Sequence, residues 1–396
     1  VWTVGNSYSI TWDLVGSISD AKLEYSTDSG ASYPNIIVSA TPAGGLSYSW
    51  TIPDDISDTV RVKISDASDA TVYDESDADF SIIGGFTISQ PNGGEVWVVD
   101  DVHDILWSTS GTVADVKLEY STNAFSDETQ TVVIIDTTPN NNGYSWTIPD
   151  AISNSVKVRV SDATDPRAYD VSDSVFKIRG ALTVTQPNGG EAWSINTTQD
   201  ITWTRVGSIA TVKLEYSTNG FSDETETYLI DSAIDASLGT YSWLIPDTPS
   251  ANCKVRITDE ADSTVFDVSN DVFSIKGSLW ITAPNGGEVW IVDDTENITW
   301  DKFGNIATVK LMYSTDGGST YPLDNTIATN VDASLLSYSW TIPDAISDTV
   351  KVKIIDEGDE TVFDESDDVF SIKGSLTITS PNGGEIWIVG ESRDIT

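Results

Sequence analysis

The sequence predicts an all-β protein, a tandem array of antiparallel β-sandwiches. Three observations support this prediction: sequence motifs recur with a period near 97 residues, apolar and polar residues alternate in short segments, and Gly, Pro, Asn and Asp separate those segments. No segment carries the apolar stripe of an amphipathic helix. A period of this length matches a self-sufficient domain rather than a solenoid unit that needs its neighbours to fold.

Two motifs define the repeats. The string Pro-Asn-Gly-Gly-Glu-x-Trp begins at Pro91, Pro187, Pro284 and Pro381, with spacings of 96, 97 and 97 residues. A second string, Tyr-Ser-Trp-x-Ile-Pro-Asp, places its Trp at Trp50, Trp146, Trp243 and Trp340, with the same spacings. We therefore predict domains at 1–84, 85–180, 181–277 and 278–374, followed by the opening strand of a further domain at 375–396.

The first predicted domain lacks its opening strand. We interpret the 396 residues as a window from a longer array. The alternative is that Ser375–Thr396 completes the open first domain of another copy by strand donation.

Alternating segments within each repeat predict the strands. They are Ala21–Tyr25, Val60–Ile64, Phe86–Ser89, Asp104–Trp107, Val116–Ser121, Tyr144–Ile148, Val156–Val160 and Val175–Ile178. About seven short strands in a repeat of this length are typical of an immunoglobulin-like sandwich. Only one or two residues join successive domains, at Gly84-Gly85, Gly180-Ala181, Gly277-Ser278 and Gly374-Ser375, and this predicts a stiff array.

The motifs resemble a known kind of repeat. The order Ile-x-x-Pro-Asn-Gly-Gly-Glu-x-Trp, Ile-Thr-Trp, Tyr-Ser-Trp-x-Ile-Pro-Asp and Ser-Asp-x-x-Phe-Ser-Ile is similar to the Ig-like or fibronectin-III-like repeats of secreted bacterial and archaeal proteins and of the Ser/Thr-rich cell-wall family of fungi. The resemblance covers essentially the whole chain. It implies an extracellular or cell-surface location, and modules of this kind serve as spacers, adhesin stalks or accessory domains.

Composition excludes several classes of function. The chain has 62 acidic and 20 basic residues and a net charge of -42, so it would repel nucleic acid and anionic membrane surfaces. One Cys and one His rule out an intrachain disulfide and a zinc site. No apolar run is long enough to span a membrane. Candidate carboxylate pairs occur once per repeat on loops, and we do not expect an enzyme.

Tryptophans recur at fixed positions on the apolar side of the strand alternation. We predict a structural aromatic core that replaces the missing disulfide. The alternative is a sugar-stacking platform, which needs exposed rings. Trp280 is the one tryptophan that has no tryptophan counterpart in the other repeats. The predicted core residues are Trp12, Trp50, Trp97, Trp107, Trp146, Trp193, Trp203, Trp243, Trp290, Trp300 and Trp340.

Acidic residues cluster between the last two strands of each repeat. Oxygen ligands on such a loop suit Ca²⁺, which would rigidify the junctions, and the alternative is a set of solvated acidic turns. No EF-hand spacing is present. The candidate ligands are Asp66, Asp69, Asp74, Asp77, Asp162, Asp165, Asp170, Asp173, Asp259, Asp262, Asp267, Asp271, Asp356, Asp359, Asp364 and Asp367.

Basic residues also recur by position, on the polar faces of two strands in each repeat. If those strands are neighbours, they form a basic stripe that could contact the acidic face of another copy. The alternative is cross-strand pairing with Glu24, Glu119 and Glu215. The stripe residues are Lys22, Arg61, Lys63, Lys117, Lys157, Arg159, Lys213, Lys254, Arg256, Lys310, Lys351 and Lys353.

These observations predict a structural protein that forms a stiff extracellular stalk or filament, with other copies of itself as the expected partner. The alternatives are adhesin-type modules that bind a cell-surface glycan or protein, and an accessory spacer array of a secreted hydrolase. Ca²⁺ is the only cofactor considered. Asn196 and Asn297 lie in glycosylation sequons.

Overall fold

The computed structural model describes residues 1–396 and contains β-strands and short 3-10 helices, with no α-helix. Its contacts divide the chain into two compact units. The first unit consists of Val1–Ala181 and Arg205–Ile209, and the second consists of Leu182–Thr204 and Ala210–Thr396. The strands fall within the four repeats that the sequence motifs define.

Repeat 1 contains eight strands and a 3-10 helix at Ala43–Gly45. Its larger sheet has the order β1-β8-β6-β3-β4, with β7 beside β6, and its second sheet is the pair β2-β5. The strands are β1 Trp2–Thr3, β2 Ser7–Thr11, β3 Asp20–Ser26, β4 Asn35–Pro42, β5 Ser47–Thr51, β6 Ser57–Asp66, β7 Tyr73–Glu75 and β8 Phe80–Ile83.

Repeat 2 has one more strand, because β9 extends its smaller sheet to three strands, β14-β11-β9. The larger sheet runs β10-β17-β15-β12-β13, with β16 beside β15, and β10 pairs in parallel with β17. A 3-10 helix covers Glu128–Gln130. The strands are β9 Gly85–Gln90, β10 Val96–Val98, β11 Val102–Ser110, β12 Asp115–Ser121, β13 Thr131–Pro139, β14 Gly143–Thr147, β15 Ser153–Asp162, β16 Tyr169–Val171 and β17 Phe176–Arg179.

Repeat 3 has the same strand order as repeat 2. Its 3-10 helices cover Glu224–Glu226 and Ala236–Leu238. The strands are β18 Ala181–Gln186, β19 Ala192–Ser194, β20 Thr198–Val206, β21 Thr211–Ser217, β22 Thr227–Asp235, β23 Thr240–Leu244, β24 Ser250–Asp259, β25 Phe266–Val268 and β26 Phe273–Lys276.

Repeat 4 again has this order. Its 3-10 helices cover Leu323–Asn325 and Ala333–Leu335. The strands are β27 Ser278–Ala283, β28 Val289–Ile291, β29 Thr295–Phe303, β30 Thr308–Ser314, β31 Thr326–Asp332, β32 Ser337–Thr341, β33 Ser347–Asp356, β34 Phe363–Glu365 and β35 Phe370–Lys373.

Each repeat is therefore an immunoglobulin-like antiparallel β-sandwich, and the chain is a tandem array of them, as the sequence predicts. Each of the eight predicted strand segments overlaps a strand of the structure, and their ends differ by at most three residues. Alternation explains this agreement, since every second side chain of these strands enters the core between the two sheets.

The core of each sandwich is aromatic at its centre. In repeat 2, Trp97 contacts Trp146 edge-on at 6.1 Å between ring centroids and Phe176 at 4.9 Å. Edge-to-face packing of this kind adds stabilisation beyond the burial of area. The same arrangement recurs in repeats 3 and 4.

The prediction that Trp12 belongs to the buried core is wrong. Ten of the eleven tryptophans are buried, but Trp12 is only half-buried. In repeats 2, 3 and 4 the opening strands β9, β18 and β27 bury apolar side chains such as Ile88, Val184 and Ile281 beside the counterparts of Trp12. Repeat 1 has no such strand, and Trp12 instead lines an open groove of about 250 Å³.

The segment 375–396 differs from the prediction, because it forms no strand. Its apolar side chains are exposed, with Leu376 and Val389 fully accessible. The turn of its Pro-Asn-Gly-Gly-Glu motif is nevertheless present, since Glu385 accepts the backbone N–H groups of Asn382 and Gly383 at 2.8 and 2.7 Å. A strand needs a pairing partner along its length, and here only Thr379 and Ser380 pair, both with Thr396.

Candidate functional sites

The acidic loop of each repeat joins the longest strand of the larger sheet to the short strand beside it, for example β15 to β16. Its first aspartate closes a turn: Asp162 accepts the backbone N–H and hydroxyl of Thr164 at 2.7 and 2.8 Å. The second aspartate of the loop closes a similar turn. Asp359 accepts the backbone N–H and the hydroxyl of Thr361, two residues later in the chain, at 3.1 and 2.6 Å. These are Asx turns, in which the carboxylate replaces a backbone acceptor. Asp66, Asp69, Asp259, Asp262 and Asp356 form turns in the same way.

The later aspartates of the predicted cation sites point elsewhere. Asp170 accepts the backbone N–H of Ile88 on the opening strand at 2.7 Å, and Asp267 and Asp364 do so in repeats 3 and 4. Asp173 and Asp367 accept from the side-chain amides of Asn92 and Asn285 at 2.8 and 2.7 Å. Asp271 accepts from the next backbone N–H, and Asp74 and Asp77 are exposed in repeat 1.

The loop carboxylates thus bind separate protein donors. No group of three or more His, Cys, Asp or Glu side chains is arranged to hold a metal ion. The Ca²⁺ sites stay a prediction from sequence, and the geometry accounts for most of these aspartates as turn and strand-pairing residues.

The basic stripe lies on neighbouring strands, as expected: β12 pairs with β15, and the equivalent strands pair in every repeat. Its side chains have acidic partners in their own repeat. Arg159 contacts Glu119 at 2.9 Å and Glu128 at 3.1 Å, while Lys117 contacts Glu119 at 2.8 Å. Further pairs join Lys22 to Glu24, Arg61 to Asp79, Lys63 to Glu75, Lys213 to Glu215, Arg256 to Glu215 and Glu224, and Lys353 to Glu365.

Glu119 shows the electrostatic effect of this pairing. Burial opposes its ionisation, but hydrogen bonds from Lys117 and Arg159 outweigh that cost and hold the pKa of the carboxyl below its ordinary value. Lys157, Lys254 and Lys351 donate instead to backbone carbonyls of Asp173, Asn270 and Asp367. In repeat 4 Met312 occupies the position of the glutamate beside Lys310. Pairing within repeats is the arrangement that the alternative interpretation expected.

Contacts between successive repeats involve residues that sequence reasoning did not single out. Asp54, in the Ile-Pro-Asp motif of repeat 1, accepts the backbone N–H of Thr112 at 2.8 Å and its hydroxyl at 2.5 Å. Asp150 accepts the backbone N–H of Ser208 at 2.9 Å and also its hydroxyl. In repeats 1 and 2 the Asp of the motif therefore clasps a loop of the following repeat, in that its carboxylate accepts these hydrogen bonds.

Glycine precedes the clasped residue at each of these positions. Gly111 and Gly207 have φ of +87° and +79°. A Cβ on Gly111 would lie 3.1 Å from both Asp54 and Val4. Close approach and a left-handed backbone together explain why glycine stands here. The sequence offered two signals: the repeated Ile-Pro-Asp, and the glycine four residues after Trp12, Trp107, Trp203 and Trp300.

Ion pairs also join successive repeats, at the junction of repeats 1 and 2 and at the junction of repeats 3 and 4. Arg167 of repeat 2 contacts Asp58 of repeat 1 at 2.5 Å and donates to the hydroxyl of Ser81 at 3.0 Å. Lys276 of repeat 3 contacts Asp359 of repeat 4 at 3.0 Å and donates to the hydroxyl of Thr361 at 2.7 Å.

The remaining surface has few other candidate sites. Trp280 is half-buried and lies 5.2 Å from Phe303, which is exposed, so the two rings form an aromatic patch on repeat 4. Cys253 is a buried free thiol in the core of repeat 3. Asn196 and Asn297 are exposed. The structure has no helix that is both long and apolar enough to cross a membrane.

The matches to this chain are with solved structures that contain Ig or fibronectin(III)-like domains. No protein-family model and no curated protein matches the chain. Among solved structures, the fibronectin(III)-like modules of Clostridium thermocellum CbhA are 16% identical and cover 52% of this chain and 100% of their own, with a TM-score of 0.18. The four N-terminal Ig domains of Dscam1 isoform 6.9 are 9% identical and cover 94% of this chain and 96% of their own, with a TM-score of 0.25.

A similar match is the eight N-terminal Ig domains of Down Syndrome Cell Adhesion Molecule isoform 1.30.30, which are 9% identical and cover 95% of this chain and 56% of their own, with a TM-score of 0.25. Assignment of the sandwich rests on the strand order of the chain itself, and that order makes this protein a tandem array of Ig-like or fibronectin-III-like β-sandwiches.

Proposed function

We propose that this chain is part of a structural protein outside the cell, in which tandem sandwiches form a stiff stalk or filament. The observation that carries the proposal is the length of the connections. One residue separates β8 from β9, β17 from β18, and β26 from β27, namely Gly84, Gly180 and Gly277. So short a linker restricts the reach of each repeat, and the clasps at Asp54 and Asp150 restrict it further.

The surface supports a solvent-exposed role. A net charge of -42 favours solubility and disfavours nucleic acid and anionic lipid as partners. Location at the cell surface is inferred from the motif resemblance described above. We assign no catalysis to these repeats, whose carboxylates serve in turns, strand pairing and ion pairs.

Association between copies is the second part of the proposal. The basic stripe and the acidic loops repeat with the same period in every copy, so two chains in register would place many weak contacts opposite one another. Since the stripe is already paired within repeats, contacts between copies would exchange one set of ion pairs for another. Such an assembly should loosen as salt rises.

Electron microscopy of the purified protein across a salt series, with and without a calcium chelator, tests both parts. Elongated particles of uniform curvature support the stiff array, and ordered bundles that separate at high salt support the electrostatic contact. Particles that bend freely at the junctions would refute the stalk. Single particles under every condition would refute association and leave the stalk intact, while loss of order on chelation alone would assign the contacts to Ca²⁺.

A second candidate function, adhesion through a glycan, is favoured by one observation. The Trp280–Phe303 patch of repeat 4 offers aromatic faces of the kind on which sugar rings stack. Screening against immobilised glycans would test it, with Trp280→Ala as the loss variant and Tyr169→Ala, another exposed aromatic, as the matched control. Binding that neither variant alters would refute a role for this patch. A role as a spacer on a secreted hydrolase would instead require a catalytic domain elsewhere in the gene.

A further inference from the structure

The second aspartate of the acidic loop has the same kind of partner at two junctions. Asp165 in repeat 2 and Asp359 in repeat 4 occupy the same position of this loop. Asp165 binds Arg167 through two hydrogen bonds, from Nε at 2.8 Å and from Nη2 at 2.7 Å. Asp359 binds Lys276 of the preceding repeat. In both cases a side-chain cation binds the carboxylate of this aspartate.

The two junctions use opposite polarity. At the junction of repeats 1 and 2 the cation belongs to the following repeat, where Arg167 reaches back to Asp58. At the junction of repeats 3 and 4 the cation belongs to the preceding repeat, where Lys276 reaches forward to Asp359. The third junction cannot form the ion pair of the first junction. Repeat 4 has Thr361 at the position of Arg167, and repeat 3 has Ala251 at the position of Asp58.

Each cation is also held by a hydroxyl of the other repeat, and this gives the contact a defined direction. Arg167 donates to Ser81 and Lys276 donates to Thr361. Fixed hydrogen-bond geometry distinguishes these pairs from mobile surface ion pairs, which contribute little. The side chains of Lys276 and Asp359 are 26% and 37% exposed, and those of Arg167 and Asp58 are 45% and 69% exposed, so salt screens both contacts and the first junction more strongly.

We propose that the acidic loop is a latch for a side-chain cation at the junction, and that these latches set the angle between neighbouring repeats and match each repeat to its own neighbour. The inference rests on the proposed structural role of the array and names the interaction that stiffens it. Each latch acts with a further contact: the Asp54–Thr112 clasp at the first junction, and at the third a hydrogen bond from the Ser278 hydroxyl to the Ile195 carbonyl at 3.4 Å.

Distance measurements between spin labels in the full chain test the latch directly. Cys253→Val removes the single native thiol and introduces the residue found at Val60, Val156 and Val350. Labels at Leu244→Cys and Thr341→Cys then report on repeats 3 and 4. Labels at Thr51→Cys and Thr147→Cys report on repeats 1 and 2. All four positions are exposed and lie at equivalent places on β23, β32, β5 and β14.

Variants at each junction have specific expected results. Asp359→Asn should broaden the distance distribution between repeats 3 and 4 and leave that between repeats 1 and 2 unchanged. Arg167→Gln should do the reverse. The exchange of charges in Lys276→Asp with Asp359→Lys should restore the narrow distribution, because the pair is re-formed with opposite sign.

Lys373→Gln is the matched control, because Lys373 occupies the place of Lys276 in repeat 4 but pairs with Asp348 of its own repeat. It should alter neither distribution. Unchanged distances in Asp359→Asn, equal broadening by Lys373→Gln, or failure of the charge exchange to restore order would overturn the latch. None of these results depends on whether copies associate, so the latch and the proposed filament can fail separately. Circular dichroism of each variant confirms that the sandwiches remain folded.

Discussion

Trp203→Phe tests the claim that the recurring tryptophans are structural. Trp203 is 4% exposed in repeat 3, and its indole N–H donates to the carbonyl of Ala236 at 3.0 Å. Ala236 is itself buried, so Phe would leave its carbonyl without this donor. Losing roughly three buried ring atoms costs about 2 kcal/mol at ~0.8 kcal/mol each. Leaving the carbonyl unpaired adds about 1 kcal/mol.

A loss of about 3 kcal/mol corresponds to a roughly hundredfold rise in local opening, since ~1.4 kcal/mol is a factor of ten. Hydrogen exchange with mass spectrometry resolves the repeats, which global unfolding of a multidomain chain does not. Amides of β20 to β24 should exchange about a hundredfold faster in the variant. Repeats 1 and 4 should show no change.

Trp12→Phe is the matched control. Trp12 makes the equivalent bond to Ala43 at 2.9 Å, but it is only half-buried, and the Ala43 carbonyl also accepts the backbone N–H of Leu46 at 3.3 Å. Its replacement should therefore cost clearly less. If Trp203→Phe changed exchange in repeat 3 by less than tenfold, or if Trp12→Phe had an equal effect in repeat 1, the reasoning from burial and pairing would be wrong.

Three further predictions concern polar groups. Ser269→Ala should destabilise repeat 3 by about 1–3 kcal/mol, because the buried Ser269 hydroxyl accepts the backbone N–H of Val255 at 2.9 Å and donates to the Val255 carbonyl. Hydrogen exchange of the β24 amides measures this loss, and an unchanged exchange rate would contradict the prediction. Arg159→Met should destabilise repeat 2 at neutral pH. The pKa of Glu119 is lowered in the folded protein, so ionised Glu119 stabilises the fold fully above the ordinary glutamate pKa. This stabilisation is lost as the pH falls through the lowered pKa of the folded state. The Arg159→Met variant should therefore lose less stability than the parent on acidification to about pH 3. Thermal melting should be the same in CaCl₂ and in EDTA with NaCl at equal ionic strength, because the loop aspartates already accept protein donors; a rise of several degrees with Ca²⁺ would show that those donors are displaced.

Local periodicity made most of the fold predictable. Strands such as β12 and β15 alternate strictly, and an alternating segment has only one way to bury its apolar face. The repeated motifs then defined four copies of one sandwich without any long-range information. Burial of the tryptophans followed for the same reason, since ten of them lie in alternating strands that are covered on the core face.

Trp12 shows the limit of that reasoning. Trp12 follows β2, which alternates like the counterpart strands β11, β20 and β29. Burial of its ring depends on an opening strand that the structure of repeat 1 does not contain. Likewise, the sequence alone shows that Met312 stands where the other repeats have a glutamate. The pairing of Glu119 with both Lys117 and Arg159, in contrast, could be known only from the register of β12 against β15.

The sequence by itself determined the all-β class, the four sandwiches, the aromatic cores and the strongly acidic surface, because each depends on composition or on short-range order. Tertiary structure decided which charges meet. Asp58 and Arg167 are 109 residues apart in the chain, and Lys276 and Asp359 belong to different repeats. Side-chain contacts across a junction depend on how two sandwiches meet, and no periodicity within either repeat encodes that geometry.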